Sequence, residues 1–358
     1  MHQFKLPYHL TVAAGAFMHL PEKMEDALPG LASGKMIFVT EENLKGIFEE
    51  KIKSIRAQFK DSEEYLIKKA DYDSSVALAK YITMNDFKTV IGFGGGTVLD
   101  MAKFAAFVSK THYLCLPTTL SNDSLASPVA VLGTEGKARK SFKCTIPSAI
   151  FVDADIIRSA PIRQLLSGIG DTISKYTAVY DWKLAGRKTD TEKVDDFACM
   201  LSSMAFNSVC FDTDKEMTEK ILKTNSFIKR LSEALVMGGL AMEIAGSSRP
   251  SSGSEHLFCH GLEENYSEQA NVPHGIAVAM GSYPAAIFQK RNYKMIRDVI
   301  KKYGIPVKPS ANGVTKEIFT GAWQKAAASR ADRYSILNET DLSDARLSDL
   351  YDEMEEIF

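Results

Sequence analysis

The 358-residue chain has no Cys-x-x-Cys pair; its five cysteines (Cys115, Cys144, Cys199, Cys210 and Cys259) are scattered and odd in number. That excludes a disulfide framework or a thiolate zinc site and points to a reducing compartment, here the cytoplasm. Charge of one sign is also missing: the formal net charge is −2, so no chain-wide basic field draws nucleic acid or a membrane surface. No uninterrupted apolar run reaches the roughly 20 residues that span a bilayer, and the first residues, polar and few, do not resemble a signal peptide. There is no internal repeat, and no Gly-x-Gly-x-x-Gly fingerprint of the common dinucleotide fold. What is present is ordinary for a globular enzyme or binding protein, with 45% hydrophobic and 25% charged residues in a length that suits two domains.

The first half alternates strand and helix signals. Lys35–Thr40, Tyr65–Ile67, Thr89–Gly92, Tyr113–Leu116 and Ala149–Asp153 read as strands. Helical stretches run from Glu42 to about Phe59, from a cap at Ser74 to about Asn85, and from Gly96 to Ser109. Val129–Leu132 and Ala138–Cys144 read as a hairpin turning at Gly133–Lys137, with a solvated basic edge at Lys137, Arg139, Lys140 and Lys143. Past Asp155 the periodicity becomes helical. The expected architecture is therefore α/β: a doubly wound parallel-sheet domain over residues 1–155, then an all-helical domain over 156–358, which the motifs and resemblance below make a nucleotide-binding domain and a metal- and substrate-binding domain. Asp341–Glu356 is so acidic that it reads as a solvated helical tail.

Two strand ends carry chemistry. Gly94, Gly95 and Gly96 open a helix whose first N–H groups suit a phosphate, and Pro117–Asp123 supplies hydroxyls and backbone donors at the next strand end. Ligands of such sheets bind outside the carboxyl ends of strands, where both loops fall. Glu41, past the first of these strands, suits a ribose hydroxyl or equally a solvated helix start. In the helical half Asp171 follows a glycine break at the start of a helix reaching Ala185, His256 and His260 lie four apart on one helical face, and His274 follows Pro273. One carboxylate and two imidazoles with an open position are the ligands of a catalytic divalent metal. Spacing alone does not show that Asp171 meets the histidines.

Gly94–Asp100, Pro117–Thr119, Gly168–Asp171, Glu255–His256 and Pro273–Gly275 occur in this order. Together they resemble the metal-dependent alcohol dehydrogenase superfamily that includes glycerol dehydrogenase and dehydroquinate synthase. Leu120–Ala130, Asp171–Ala178 with Asp181–Trp182, and Arg249–His256 resemble its glycerol-1-phosphate dehydrogenase branch. The resemblance implies Asp171, His256 and His274 as ligands of one divalent ion (zinc first, nickel or iron otherwise). It implies NAD(H) or NADP(H) on Glu41, Gly94, Gly95, Gly96, Thr97, Val98, Leu99, Asp100, Thr118, Thr119, Leu120, Ser121 and Ser127. Asp123, Asp171 and His260 match positions acting on a small phosphorylated substrate, in a homo-oligomer. Lys175 stands where iron-type relatives carry a fourth, histidine ligand, which points to the three-ligand branch. The reaction implied is reduction of dihydroxyacetone phosphate or a similar ketone, with a glycerol dehydrogenase or a cyclase using NAD transiently as the alternatives. After about Pro309 the chain shows no matching pattern.

Overall fold

The computed structural model describes residues 4–134, 137–210 and 217–358. They form two compact units, one comprising Met1–Pro161 and Lys223–Ser232, the other Ile162–Leu222 and Glu233–Phe358. The single boundary expected at residue 155 thus becomes a break after Pro161, with a later segment returning to the first unit.

The first unit is α/β. Its strands are β1 (His9–Ala13), β2 (Met36–Glu41), β3 (Ser62–Ile67), β4 (Thr89–Gly94), β5 (His112–Pro117), β6 (Val129–Thr134), β7 (Lys137–Lys143) and β8 (Ala149–Asp153). Six of them form a parallel sheet in the order β1-β8-β5-β4-β2-β3, and β6 and β7 form a separate antiparallel pair. Two of the expected turn residues, Glu135 and Gly136, lie outside the described residues. Strand β1, half exposed at the sheet edge, is additional to the sequence reading. Between the strands run α1 (Leu20–Ala27), α2 (Glu42–Arg56), α3 (Tyr72–Met84) and α4 (Gly96–Ser109), with α5 (Ala154–Ser159) after β8. The cap of α3 is Asp71, whose carboxylate accepts from Ser74 N at 2.9 Å, and not Ser74 itself. On one face of the sheet Phe93 packs against Phe17, Phe38 and Phe48.

The second unit is helical: α6 (Ile162–Ile173), α7 (Lys175–Lys188), α8 (Asp196–Cys210), α9 (Glu219–Leu222), α10 (Asn225–Ala245, begun in the first unit), α11 (Ser254–Tyr266), α12 (His274–Phe288), α13 (Tyr293–Tyr303), α14 (Lys316–Ser329) and α15 (Asp344–Ile357). Among the described residues no helix is long and apolar enough to cross a membrane.

Two expectations are corrected here. Asp171 does not begin a helix after a glycine break; Gly168 and Gly170 lie inside α6, and Asp171 sits near its end. Gly170 is small because α12 passes against it: a Cβ there would stand 2.3 Å from the carbonyl oxygen of Gly275, and one on Gly275 would stand 1.9 Å from that of Ser167. The acidic C-terminal stretch is not a solvated tail. Helix α15 buries Leu347, Leu350, Tyr351 and Met354, a spacing that the many carboxylates between them obscure. Its Glu353 accepts from Tyr283 Oη at 2.6 Å.

Backbone contact at Gly170 makes a contrast in stability measurable. Gly170→Ala overpacks the α6–α12 contact and costs about 1–3 kcal/mol or more. Gly46, inside α2 with nothing within 4 Å of a built Cβ, gains about 0.5–1 kcal/mol as alanine. Chemical denaturation of both variants checks the opposite signs.

Candidate active site

In the first unit β4 and β5 pair in register through Gly94 and Pro117, so the glycine and threonine loops leave the sheet side by side. None of Gly94, Gly95 and Gly96 has positive φ, and space is what they supply. A Cβ on Gly94 would strike Val98 at 2.5 Å, while those on Gly95 and Gly96 would point at Thr119 Oγ1 (3.4 Å) and Ser124 Oγ (3.2 Å). The first helical bond of α4 runs from Leu99 N to Gly95 O. The N–H groups of Gly96, Thr97 and Val98 therefore precede the ladder and present donors to an anion. Beside them Thr118 is buried, and its hydroxyl has no hydrogen-bond partner. An orphaned buried hydroxyl next to a bare glycine loop fits a polar ligand. Glu41 ends β2, and its carboxylate does not cap α2.

Other residues named from sequence have work of their own. Val98, Leu99 and Leu120 bury their side chains. Asp100 pairs with the fully buried Lys103 at 2.9 Å and accepts from Val131 N at 3.0 Å. Lys103 Nζ also reaches Val129 O at 2.7 Å and Ser127 Oγ at 3.4 Å, while Ser127 Oγ donates to Val129 O at 3.0 Å. Asp100 and Ser127 thereby anchor β6 to α4. Thr97 is exposed, and Thr119 and Ser121 are half-buried. Asp123 opens a short turn and accepts from Ala126 N and Ser127 N through its carbonyl.

The second unit gathers Asp171 of α6, His256 of α11 and His274 at the start of α12, with one ligand atom from each lying within 4.8 Å of the others. His256 Nε2 stands 3.6 Å from Asp171 Oδ1. That is too long for a hydrogen bond and close to the roughly 3.3 Å edge of a tetrahedron with bonds of about 2.0–2.1 Å. The other imidazole nitrogen, Nδ1, meets Glu255 Oε1 at 2.9 Å. Glu255, fully buried, is itself held by Thr177 Oγ1 (2.6 Å) and Gly253 N (2.7 Å). A carboxylate on the far nitrogen fixes the tautomer and aims the ring. Asp181 steadies the start of α11 by accepting from Ser254 N at 2.7 Å and from Ile336 N at 2.8 Å. The sequence reading assigned no part to Glu255 or Asp181; the only hint was a buried-type motif, Gly253–His256, carrying a carboxylate.

Lys175, expected as the substitute for a fourth ligand, donates from Nζ to Asp171 Oδ2 at 2.9 Å and is fully buried. Burial alone would lift the Asp171 carboxyl, but Lys175 first, then His256 and His274, outweigh it and hold it well below the usual range. For His256 burial pushes down, and Asp171 and Glu255 outweigh it, so the imidazole is raised. An ionised acid beside a proton-avid imidazole is a pocket that favours positive charge. Its donor set suits a divalent cation with a position left for substrate.

His260, one turn along α11, is half-buried. Burial drives its pKa down to about 3, so the ring is neutral near pH 7. Arg249, the first residue of the Arg249–His256 stretch, is buried on Glu192 Oε2 (2.7 Å) and Tyr334 O (2.8 Å). Lys140 and Lys143 stay exposed.

Residues 12–161 match the family described as iron-containing alcohol dehydrogenase. Glycerol-1-phosphate dehydrogenase [NAD(P)+] of Hyperthermus butylicus is 32% identical over 96% of this chain and 95% of its own. The protein of that name from Sulfolobus acidocaldarius is 36% identical over 83% of this chain and 82% of its own. Among solved structures, a probable glycerol dehydrogenase from Sinorhizobium meliloti superposes with a TM-score of 0.78 at 20% identity, covering 99% of both chains, which shows the fold. With near-complete coverage above 30% identity, and with the triad and both strand-end loops in place, the chain belongs to the glycerol-1-phosphate dehydrogenase family of NAD(P)-dependent oxidoreductases, within the iron-type alcohol dehydrogenase superfamily.

Proposed function

We propose that the protein reduces dihydroxyacetone phosphate to sn-glycerol 1-phosphate with NADH or NADPH, using one divalent ion, zinc in the first instance. The observation that carries this reading is the convergence of Asp171, His256 and His274 in a chain of this family. A bound divalent cation supplies Lewis acidity toward the substrate's secondary oxygen, and the nicotinamide supplies or accepts the hydride. The chain's own residues do the rest. Glu255 orients His256, and Lys175 keeps Asp171 ionised. The first N–H groups of α4 and the hydroxyl of Thr118 receive the cofactor's phosphates. Asp123 accepts from a substrate hydroxyl, and neutral His260 donates one hydrogen bond to the phosphate. Among the described residues the cysteines form no disulfide, in keeping with a cytoplasmic setting.

The deciding experiment is a steady-state assay of metal-stripped protein reconstituted with zinc, nickel or iron in turn. Oxidation of NADH or NADPH that depends on dihydroxyacetone phosphate, with little turnover of dihydroxyacetone, is the expected result. Equal use of the unphosphorylated ketone favours the second reading, a glycerol dehydrogenase, the description carried by the structural neighbour from Sinorhizobium meliloti. Turnover without net nicotinamide oxidation would leave only the cyclase.

The site yields four further expectations. Alanine at Asp171, His256 or His274 removes bound metal, while Glu255→Gln weakens it by about 10–100-fold; competition with a chelating dye reads both. Glu41 repels a 2′-phosphate, so Glu41→Ser shifts the ratio of kcat/KM values toward NADP(H), and an unmoved ratio places the preference elsewhere. A neutral hydrogen bond is worth about 0.5–1.5 kcal/mol, so His260→Ala raises KM for the phosphorylated substrate by roughly 2–10-fold with kcat nearly kept. Asp123→Asn loses more in kcat. Should KM not move in His260→Ala, Arg330, whose charge reaches His260, is the group to replace next.

A further inference from the structure

We propose that Cys259, Glu263 and His274 form a second cation site, selective for a thiophilic divalent ion such as zinc or cadmium and sharing His274 with the Asp171–His256–His274 triad. Cys259 and Glu263 lie four residues apart on α11, and His274 opens α12. Their ligand atoms are mutually close: Cys259 Sγ to Glu263 Oε1 is 3.5 Å, Cys259 Sγ to His274 Nδ1 is 3.4 Å, and Glu263 Oε1 to His274 Nδ1 is 3.3 Å. One tetrahedral zinc with bonds of about 2.3 Å to sulfur, 2.0–2.1 Å to nitrogen and 2.0–2.2 Å to oxygen spans edges of roughly 3.5, 3.5 and 3.3 Å in that order. The three observed edges match that triangle.

As hydrogen bonds the same contacts are weak. The nitrogen–oxygen separation is beyond the usual 2.7–3.2 Å range for N–H···O. Nδ1 faces both a thiol and a carboxylate, although it carries one proton at most. A closed triangle of three donor-capable atoms gains little from hydrogen bonding and much from a cation at its centre. Sulfur, nitrogen and oxygen together select a softer metal than carboxylates alone. Access is open: Cys259 is buried, but the side chains of Glu263 and His274 are each 31% exposed and form the rim.

On binding, the Cys259 thiol releases its proton to solvent and a metal–sulfur bond forms. The Glu263 carboxylate and the Nδ1 lone pair complete three protein ligands, and water takes the fourth position. A neutral imidazole has one ring lone pair, so an ion on Nδ1 leaves Nε2 protonated, and Nε2 serves the triad at the same time only when that proton too goes to solvent and the ring becomes a bridging imidazolate. Occupancy of this site ties down the ring that also serves the triad.

The test is a cadmium titration of metal-stripped full-length protein, followed by the ultraviolet thiolate-to-cadmium charge-transfer absorption. The band is expected to grow to one cadmium per chain, to persist in His256→Ala, and to be absent in Cys259→Ser. In Glu263→Gln the apparent affinity falls by at least the roughly tenfold that loss of an outer partner already brings. Circular dichroism checks that each variant is folded; if Cys259→Ser is not, the Glu263→Gln shift decides. No band in the unsubstituted protein, a band surviving in Cys259→Ser, or undiminished affinity in Glu263→Gln overturns the proposal. The readout needs no turnover, so its failure and a failed dehydrogenase assay are separate results.

Discussion

Everything in the helical unit depends on how closely α12 can lie against its neighbours, and that is set by side chains that are missing. At Gly170 and Gly275 the backbones of α6 and α12 touch with no room for a methyl group. At Gly281 the same helix presses on α11, where a Cβ would come within 2.8 Å of the carbonyl oxygen of Glu255. Protein interiors are packed to crystal-like density, so such contacts fix helix positions to fractions of an ångström. Asp171 follows one of these glycines, His274 precedes another, and His256 follows the residue that the third one meets. The mutual placement of these three side chains is therefore a by-product of helix packing.

The same region carries a heavy load of buried charge. Asp171, Lys175, Glu255 and Asp181 are all essentially inaccessible, and each is met by partners of the right kind. Burying an unpaired charge costs several kcal/mol, whereas a hydrogen-bonded pair roughly balances desolvation against attraction. Asp181 makes no salt bridge among the described residues, and burial together with Glu255 lifts its carboxyl to about 6. A core arranged this way does not maximise stability; it keeps one acid ionised and one imidazole aimed. The Asp100–Lys103 pair in α4 follows the same logic, and it serves to hold a hairpin against the helix that carries the glycine loop.

Local pattern made much of the first unit legible. Helix α4 runs over Gly96–Ser109 and β8 over Ala149–Asp153, as read from their apolar runs and punctuation. The edge strand β1 escaped because a half-exposed edge leaves a weak signature. Lys103 and Asp100 look like surface residues of an amphipathic helix, and only the hairpin packed over them shows why they are buried. In the site, the residue types of the triad were visible but their meeting was not, because Asp171 and the histidines belong to different helices. Glu255 and Asp181 stood in motifs that carry the resemblance, but their roles were not legible, because Thr177, which holds Glu255, and Ser254 and Ile336, which Asp181 holds, are distant in sequence from them. The glycine triplet was legible as a place where the main chain lies open to a ligand. Its backbone needs no left-handed turn, only absent side chains.

Strand order has a consequence for how the chain assembles. Strand β1 has a single neighbour, β8, and pairs His9 with Ala149. Closing so long a loop carries an entropic penalty that nothing local offsets. During synthesis at about 5–20 residues per second, the amino-terminal strand must wait, unpaired, until the last strand has left the ribosome. The unit is not complete even then, since Lys223–Ser232 belongs to it as well. Ile162–Leu222, the opening stretch of the helical unit, must therefore emerge before the α/β unit has all of its parts, so the two cannot finish folding strictly one after the other.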